Sequence, residues 1–192
     1  LMHTPGVRVV CPSTPAQAKG LLAAAIRSDD PVVFLEHTKM YRSFREPVPV
    51  ADYTLPLDKC RVVQEGNDLT LIAWGNMLHS SIAAAAEVAA ATHASIEIID
   101  MCSLAPLDVA PVLASVKKTG RCVIVHEARR TAGPGAEISA LINEYALEYL
   151  KAPVKRVTAF DVFFPENQIE DAYLPSPQRI KAGIEAVLNY QF

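Results

Sequence analysis

At 192 residues the chain has room for one ordinary domain and part of another, and an apolar content of 51% is enough to bury a substantial core. A net charge of -3, a pI near 6.0 and the lack of any run of five Lys or Arg argue against a nucleic-acid or membrane-surface binder, leaving small molecules and other proteins as partners. No apolar run approaches the roughly 20 residues of a membrane helix, and no charged segment followed by an apolar one opens the chain, so a soluble protein without an export signal is expected.

Leu1 is not an initiator, and Val7-Arg-Val-Val-Cys11 opens a strand almost at once, so the sequence reads as a piece of something longer. Thr14-Pro15-Ala16-Gln17 has the features of a helix start: a hydroxyl at the N-cap, Pro at the first helical position and Gln where a capping box places its acceptor. The helix is predicted to run to about Ser28, where Asp29-Asp30-Pro31 breaks it before the apolar strand Val32 to Leu35. Residues 7 to 36 form one strand-helix-strand unit, too small to stand alone. From His37 to Asp58 the prolines Pro47, Pro49 and Pro56 interrupt charged and aromatic residues, and this stretch reads as an ordered inter-domain linker.

Beyond it, strand and helix alternate. Strands are predicted at Leu69 to Trp74, Ile96 to Asp100, Cys122 to His126 and Val154 to Thr158. Helices are predicted at about Met77 to Ala91, Asp108 to Lys118 and Gly135 to Leu150, with a last one from Pro177 through Ile180, Ile184, Val187 and Leu188. Continuous apolar strands separated by helices mean a parallel sheet covered on both faces. Ile138, Leu141, Ile142, Tyr145 and Tyr149 fall at helical spacing and are expected on a buried face.

The tight turn at Gly120, the strand through His126-Glu127 and the Gly-rich entry Thr131-Ala-Gly-Pro-Gly135 place a strand end at a crevice, where such folds put their sites. His126 there is either a group titrating near neutrality or an interface histidine held by backbone carbonyls. His79 and His93 flank the Ala-rich helix and are expected to face solvent. Asp100 and Asp161 stand at strand ends, where an N-cap or turn role competes with a catalytic one. The turn at Gly133 to Gly135 lacks the Lys-Ser/Thr of a phosphate loop and the G-x-G-x-x-G order of a dinucleotide site, and no G-x-S-x-G occurs. Cys11, Cys60, Cys102 and Cys122 show no C-x-x-C spacing and read as buried hydrophobes of a reducing compartment.

Several blocks, in order and at matching distances, resemble the C-terminal part of the β subunit of the thiamine-dependent 2-oxo acid dehydrogenases. Pro12-Ser-Thr-Pro15, Asp30-Pro-Val-Val-Phe34, Glu36 and Tyr41-Arg42 look like the end of the family's pyrimidine-binding domain. Gln64-Glu-Gly66 to Trp74-Gly75, Ser103-Leu-Ala-Pro-Leu-Asp108, Ala152-Pro-Val-Lys-Arg-Val-Thr158 and Tyr173-Leu-Pro-Ser-Pro177 look like its C-terminal domain. The resemblance implies an α/β fold: a β-α-β remnant of the pyrimidine-binding domain at residues 1–37, a linker at 38–58, and a three-layer, parallel-sheet, transketolase C-terminal-like domain at 59–192.

It also implies an oxidoreductase component that decarboxylates a 2-oxo acid, branched-chain or pyruvate, and passes the acyl unit to a lipoyl acyltransferase. The linker looks somewhat more like branched-chain members. Thiamine diphosphate with Mg2+ would lie in an α2β2 heterotetramer, held mainly by residues outside this chain, so this stretch is expected to supply assembly surface and crevice wall. The implied partners are the α subunit, a second β subunit and the acyltransferase, with no nucleic acid or membrane. Cytoplasm and mitochondrial matrix both stay open. His3 does not match the family's catalytic histidine, which lies further upstream. Many members bind structural potassium at positions corresponding to Ala25, Ser28 and Asp30, of which the other half is upstream. His126, Glu127, Lys151, Lys155 and Phe192 are expected at the crevice or an interface. Lys151 and Lys155 stand where acidic groups would suit a basic acyltransferase domain, which opposes docking there. Asp100-Met101-Cys102 replaces a family Asp-Leu-Arg, so an ionic contact is lost or replaced. The other reading of the whole chain is a non-catalytic assembly module.

Overall fold

The computed structural model describes residues 1–165 and 169–191; Phe192 lies outside the described residues. The N-terminal unit forms as its sequence dictates: β1 (Arg8–Val10), α1 (Pro15–Ile26) and β2 (Val32–Phe34), with β1 and β2 parallel. Thr14 caps α1 by accepting from Gln17 N at 3.3 Å, while Gln17 Oε1 reaches past the cap to the N–H of Ser13 at 2.8 Å. The linker contains one 3-10 turn at Thr38–Arg42 and is otherwise irregular.

The rest comprises β3 (Arg61–Gln64), β4 (Leu69–Ala73), α2 (Asn76–Thr92), β5 (Ile96–Asp100), β6 (Ser103–Ala105), α3 (Val109–Thr119), β7 (Cys122–Arg129), α4 (Pro134–Ala146), β8 (Lys155–Ala159), α5 (Glu170–Tyr173) and α6 (Pro177–Leu188). The main sheet has the order β3-β5-β4-β7-β8, parallel except for the edge strand β3, which pairs antiparallel with β5. Helices α2 and α6 cover one face around Leu71, Ile98, Val123 and Ile184. On the other, α3 and α4 pack on Ile72, Ile99 and Ile124 through Val112, Val116, Ile138 and Ile142. The three-layer parallel α/β expectation holds, with two additions. β3 reads Arg-Val-Val-Gln with every residue exposed, so it carries no burial period to mark it as a strand. β6 has three residues and pairs antiparallel with β1, forming a second sheet β2-β1-β6 that joins the N-terminal unit to the rest.

One expected buried face is corrected. Tyr145 is 55% and Tyr149 43% exposed, and the buried line of α4 is Gly135, Ile138, Ile142 and Ala146. Tyr145 lies one residue, or about 100°, away from Ala146 around the helix. Tyr149 follows the change to a 3-10 turn at Leu147–Tyr149, and its ring lies beneath the Lys117 ammonium at 5.2 Å.

Candidate functional site

The parallel strands β4 and β5 end at Trp74-Gly75 and Asp100 beside His126-Glu127 of the longer β7, the edge at which an open α/β sheet normally leaves a crevice. Here residues of the N-terminal unit and the linker fill it. Ser13 Oγ donates to Asp100 Oδ1 at 2.8 Å and accepts from Gly75 N at 2.9 Å. Gln17 Nε2 donates to Asp100 Oδ2 at 2.8 Å, and Asp100 is fully buried. Gly75 holds this turn with φ +56°, a conformation that disfavours any side chain. One step along the edge, Glu127 contacts His37 Nε2 and accepts from Asn76 Nδ2 at 3.3 Å. The joint is therefore polar, buried at Ser13, Gln17 and Asp100 and half-buried at His37, Asn76 and Glu127.

Histidine 126 is 0% exposed and stacks on Trp74 with ring centroids 5.3 Å apart and 15° between planes. Its Nε2 accepts from Gly135 N at 3.3 Å. Burial pushes its pKa down to about 4, partly opposed by a backbone interaction with Ala128, so the ring is neutral at pH 7. This corrects both sequence readings: it neither titrates near neutrality nor meets an interface, because α4 covers it. A Cβ at Gly135 would lie 2.6 Å from His126 Nε2, so this glycine serves close helix packing rather than a phosphate. The unfolded ring binds protons near its ordinary value of 6.5, so the stability due to neutral His126 is complete above that pH and is lost as pH falls toward 4. Trp74 is the chain's one tryptophan. Its fluorescence should therefore report an acid transition that His126→Gln shifts to lower pH.

His79 is also corrected: it is half-buried, with Nε2 2.7 Å from the Ser13 carbonyl and its ring 4.4 Å from that of Phe44, because the linker folds over α2. His93 is exposed as expected, at the left-handed C-cap of α2. Asp161 takes the turn role: Thr131 donates to it through N at 3.0 Å and Oγ1 at 2.7 Å, and these bonds hold its carboxyl below its usual range. Cys11, Cys102 and Cys122 are buried and Cys60 is half-buried. Burial pushes Cys11 and Cys60 up to about 12 and Cys102 and Cys122 higher still, so none is an activated nucleophile. In place of the family's ionic contact, Cys102 Sγ accepts from Gln17 Nε2 at 3.0 Å, and Arg61 approaches Asp100 at 3.7 Å.

Ala25, Ser28 and Asp30 meet in one turn. Ser28 N donates to the Ala25 carbonyl at 3.3 Å, Ser28 Oγ accepts from Asp30 N at 3.1 Å, and Asp30 Oδ2 pairs with Arg8 Nε at 2.9 Å. Lys151 and Lys155 are exposed, the stem of Lys151 lying against Gly120. Against the second sheet lies an open apolar groove of about 950 Å³, lined by Leu1, Val9, Leu104, Leu107 and Leu141 with His3 and Glu137.

The Transketolase, C-terminal domain family model matches residues 58–180. The chain belongs to this family. The transketolase pyrimidine-binding domain model matches residues 1–43. The chain is 46% identical over 190 residues to the pyruvate dehydrogenase E1 component subunit beta of Staphylococcus epidermidis and 47% over 186 residues to that of Bacillus subtilis, covering 99% and 97% of itself. It is 48% identical over 190 residues to the Staphylococcus aureus counterpart, and it spans 57–58% of the length of these relatives. Among solved structures it resembles a split-gene transketolase in an inactive β4 tetramer, with a TM-score of 0.80, 25% identity, and coverage of 97% of this chain and 59% of that one. What sequence reading missed is the joint itself, where Ser13, Gln17 and His37 meet strand ends some 80 to 90 positions away.

Proposed function

We propose that this chain is the C-terminal portion of the β subunit of a thiamine-dependent 2-oxo acid dehydrogenase, and that the 2-oxo acid is pyruvate. The observation that carries this reading is the 46–48% identity to pyruvate dehydrogenase β subunits over 97–99% of the chain. It outweighs the branched-chain character of the linker. The N-terminal unit supports it physically. β2 is an open parallel edge, and α1 leaves Ile26 77% exposed with Leu22 beside it, surfaces that a fuller pyrimidine-binding domain would cover.

Thiamine diphosphate, held in the full enzyme by residues outside this chain, would supply the electron sink for loss of carbon dioxide. This chain's residues do not fit a holder of the cofactor or its Mg2+: among the described residues no cluster of three His, Cys, Asp or Glu gathers for a metal, His126 is buried under α4, and the half-buried Glu127 is engaged by His37 and Asn76. Their role is structural. The joint fixes the N-terminal unit against the C-terminal domain, and the apolar groove beside β1 and α4 forms crevice wall. The partners are the α subunit, a second β subunit and the lipoyl acyltransferase that receives the acyl unit. Potassium at Ala25, Ser28 and Asp30 belongs to the same proposal and needs Arg8 to release the Asp30 carboxylate. The domain division at residues 37 and 58 belongs to it as well.

An assembly role without catalysis is the second reading, favoured by the inactive β4 tetramer of the structural relative. The test is to express the full-length subunit with its α subunit, thiamine diphosphate and Mg2+ and measure carbon dioxide release from pyruvate and from a branched-chain 2-oxo acid. Preferred turnover of pyruvate is expected. An intact heteromer that turns over neither substrate would favour the assembly module.

A further inference from the structure

A cleft of about 410 Å³ opens between α1, the linker and the start of β3, a size within the range of small-molecule sites. Its floor is Leu21, Gln17 and Cys102, all buried, and Pro47, Tyr53 and Leu55 of the linker form the facing wall. That wall is fixed. Lys19 Nζ donates to the carbonyls of Pro49, Val50 and Ala51, Tyr53 Oη donates to the Ala16 carbonyl at 2.7 Å, and Leu55 N donates to the Gly20 carbonyl at 3.1 Å. Gly20 permits this approach, because a Cβ there would stand 2.7 Å from both Leu55 Cγ and Tyr53 Cε2. A cleft whose walls are already ordered loses little freedom when a ligand enters.

On the open side stand two exposed cations, Lys59 and Arg61. Lys59 lies 3.6 Å from Asp108 and Arg61 lies 3.7 Å from Asp100, and both distances exceed hydrogen-bond length. Those carboxylates accept from other donors: Asp108 from Cys60 N at 3.2 Å, and Asp100 from Ser13 and Gln17. The guanidinium fork of Arg61 and the ammonium of Lys59 are thus placed to donate to an arriving anion. Glu46, the one acidic residue lining the cleft, accepts from Ala16 N at 2.7 Å, while Gln17 N and Ala18 N are bonded to Thr14. The start of α1 therefore offers no cradle of N–H groups for a phosphate, and side chains must hold the anion. A planar carboxylate matches the Arg61 fork. A bare inorganic anion would leave Leu21, Leu55 and Pro47 uncovered, so the occupant carries an apolar body as well.

We propose that this cleft binds a small organic monocarboxylate with an aromatic or branched apolar body, its carboxylate held by Arg61 and Lys59 and its body lodged between α1 and the linker. Gln17 and Cys102 in the floor belong to the joint, so an occupant braces the N-terminal unit against the main sheet. The experiment is equilibrium dialysis of radiolabelled phenylacetate against the full-length subunit and its Arg61→Gln, Arg61→Lys and Lys59→Gln variants, with acetate and phenylacetamide as competitors. Both mutated side chains are exposed, and unchanged melting of each variant without phenylacetate establishes that it folds. Saturable binding to the wild type is expected, competed by neither acetate, which lacks the body, nor phenylacetamide, which lacks the charge. Arg61→Gln should weaken it by about 10-fold or more and Lys59→Gln by less, with Arg61→Lys between wild type and Arg61→Gln. Phenylacetate should also slow hydrogen exchange at Leu21 in the wild type and not in Arg61→Gln. Equal affinity of the wild type, Arg61→Gln and Lys59→Gln would place the ligand elsewhere and overturn the proposal. Competition by phenylacetamide as strong as that by phenylacetate would overturn it in favour of an apolar hollow, and a lack of saturable binding at millimolar concentrations would overturn it outright. None of these outcomes bears on the functional reading above, since the cleft is built from this chain alone.

Discussion

Asp100→Ala is expected to destabilise the protein by roughly 3 kcal/mol or more, because two buried hydrogen-bond donors lose their acceptor at once. Ser13 Oγ and Gln17 Nε2 each lie 2.8 Å from this carboxylate, and all three residues are buried. Both donors are shielded from solvent, Ser13 at 0% and Gln17 at 4% exposure. The loss should also be local. Ser13 and Gln17 belong to the N-terminal unit and Asp100 to the main sheet, so the unit should loosen from the sheet before the sheet melts. Hydrogen exchange would read this as faster exchange at Val10 and Leu21 with protection retained at Ile72 and Ile124. Asp100→Asn, which keeps one acceptor oxygen, should lose about half as much. Uniform loss of protection over the whole chain would contradict the idea of a joint.

Lys118→Met is expected to cost about 3 kcal/mol, because it leaves a buried carboxylate without its cation. The Glu97 side chain is almost wholly buried between β5 and α3; the Lys118 ammonium contacts it directly, and Gly66 N donates to it at 3.3 Å. Burial, the largest influence, pushes the Glu97 carboxyl up, but hydrogen bonds from Lys118, Ser115 and Gly66 outweigh it, and its pKa falls below the ordinary glutamate range. The folded carboxyl binds its proton less readily than the unfolded one. The pair's contribution is therefore present above the ordinary carboxylate pKa and is lost as pH falls through the lower folded value. Denaturant titrations at pH 7 and pH 3 should show a large difference between wild type and Lys118→Met at the first pH and a smaller one at the second. The double variant Lys118→Met/Glu97→Gln should recover most of the loss, since it removes the stranded charge along with its partner.

The main sheet was legible because its central strands are buried on both faces and so appear as mostly apolar runs, Leu69 to Ala73 interrupted only by Thr70, and Cys122 to Val125, between helices. Thr14 and Pro15 announced α1 and Pro177 announced α6, whose cap the structure supplies from Ser176, its Oγ accepting from Arg179 N at 3.3 Å. The edge strand β3 was not legible, since its Val62 and Val63 face solvent. The exposed Tyr145 and Tyr149 misled for a related reason: Tyr145 lies about 100° round α4 from the buried Ala146. Spacing alone marks a face that continues to Tyr149, but the helix ends at Ala146 and the phase changes. Asp100 and His126 were singled out as strand-end residues, and the structure brings both to one edge of the sheet. Their roles depend on partners brought together by tertiary packing: Ser13 and Gln17 on Asp100, and Trp74 and Gly135 on His126. No local pattern encodes a hydrogen bond across 87 positions.

The most direct measurement is a chimera in which this chain replaces the corresponding C-terminal stretch of the Bacillus subtilis pyruvate dehydrogenase β subunit, co-expressed with that enzyme's α subunit and supplied with thiamine diphosphate and Mg2+. If the chain provides assembly surface and crevice wall, with the reacting groups elsewhere, the chimera should assemble and release carbon dioxide from pyruvate within about 10-fold of the parent enzyme's rate. A chimera that folds and assembles yet decarboxylates no 2-oxo acid would contradict the account.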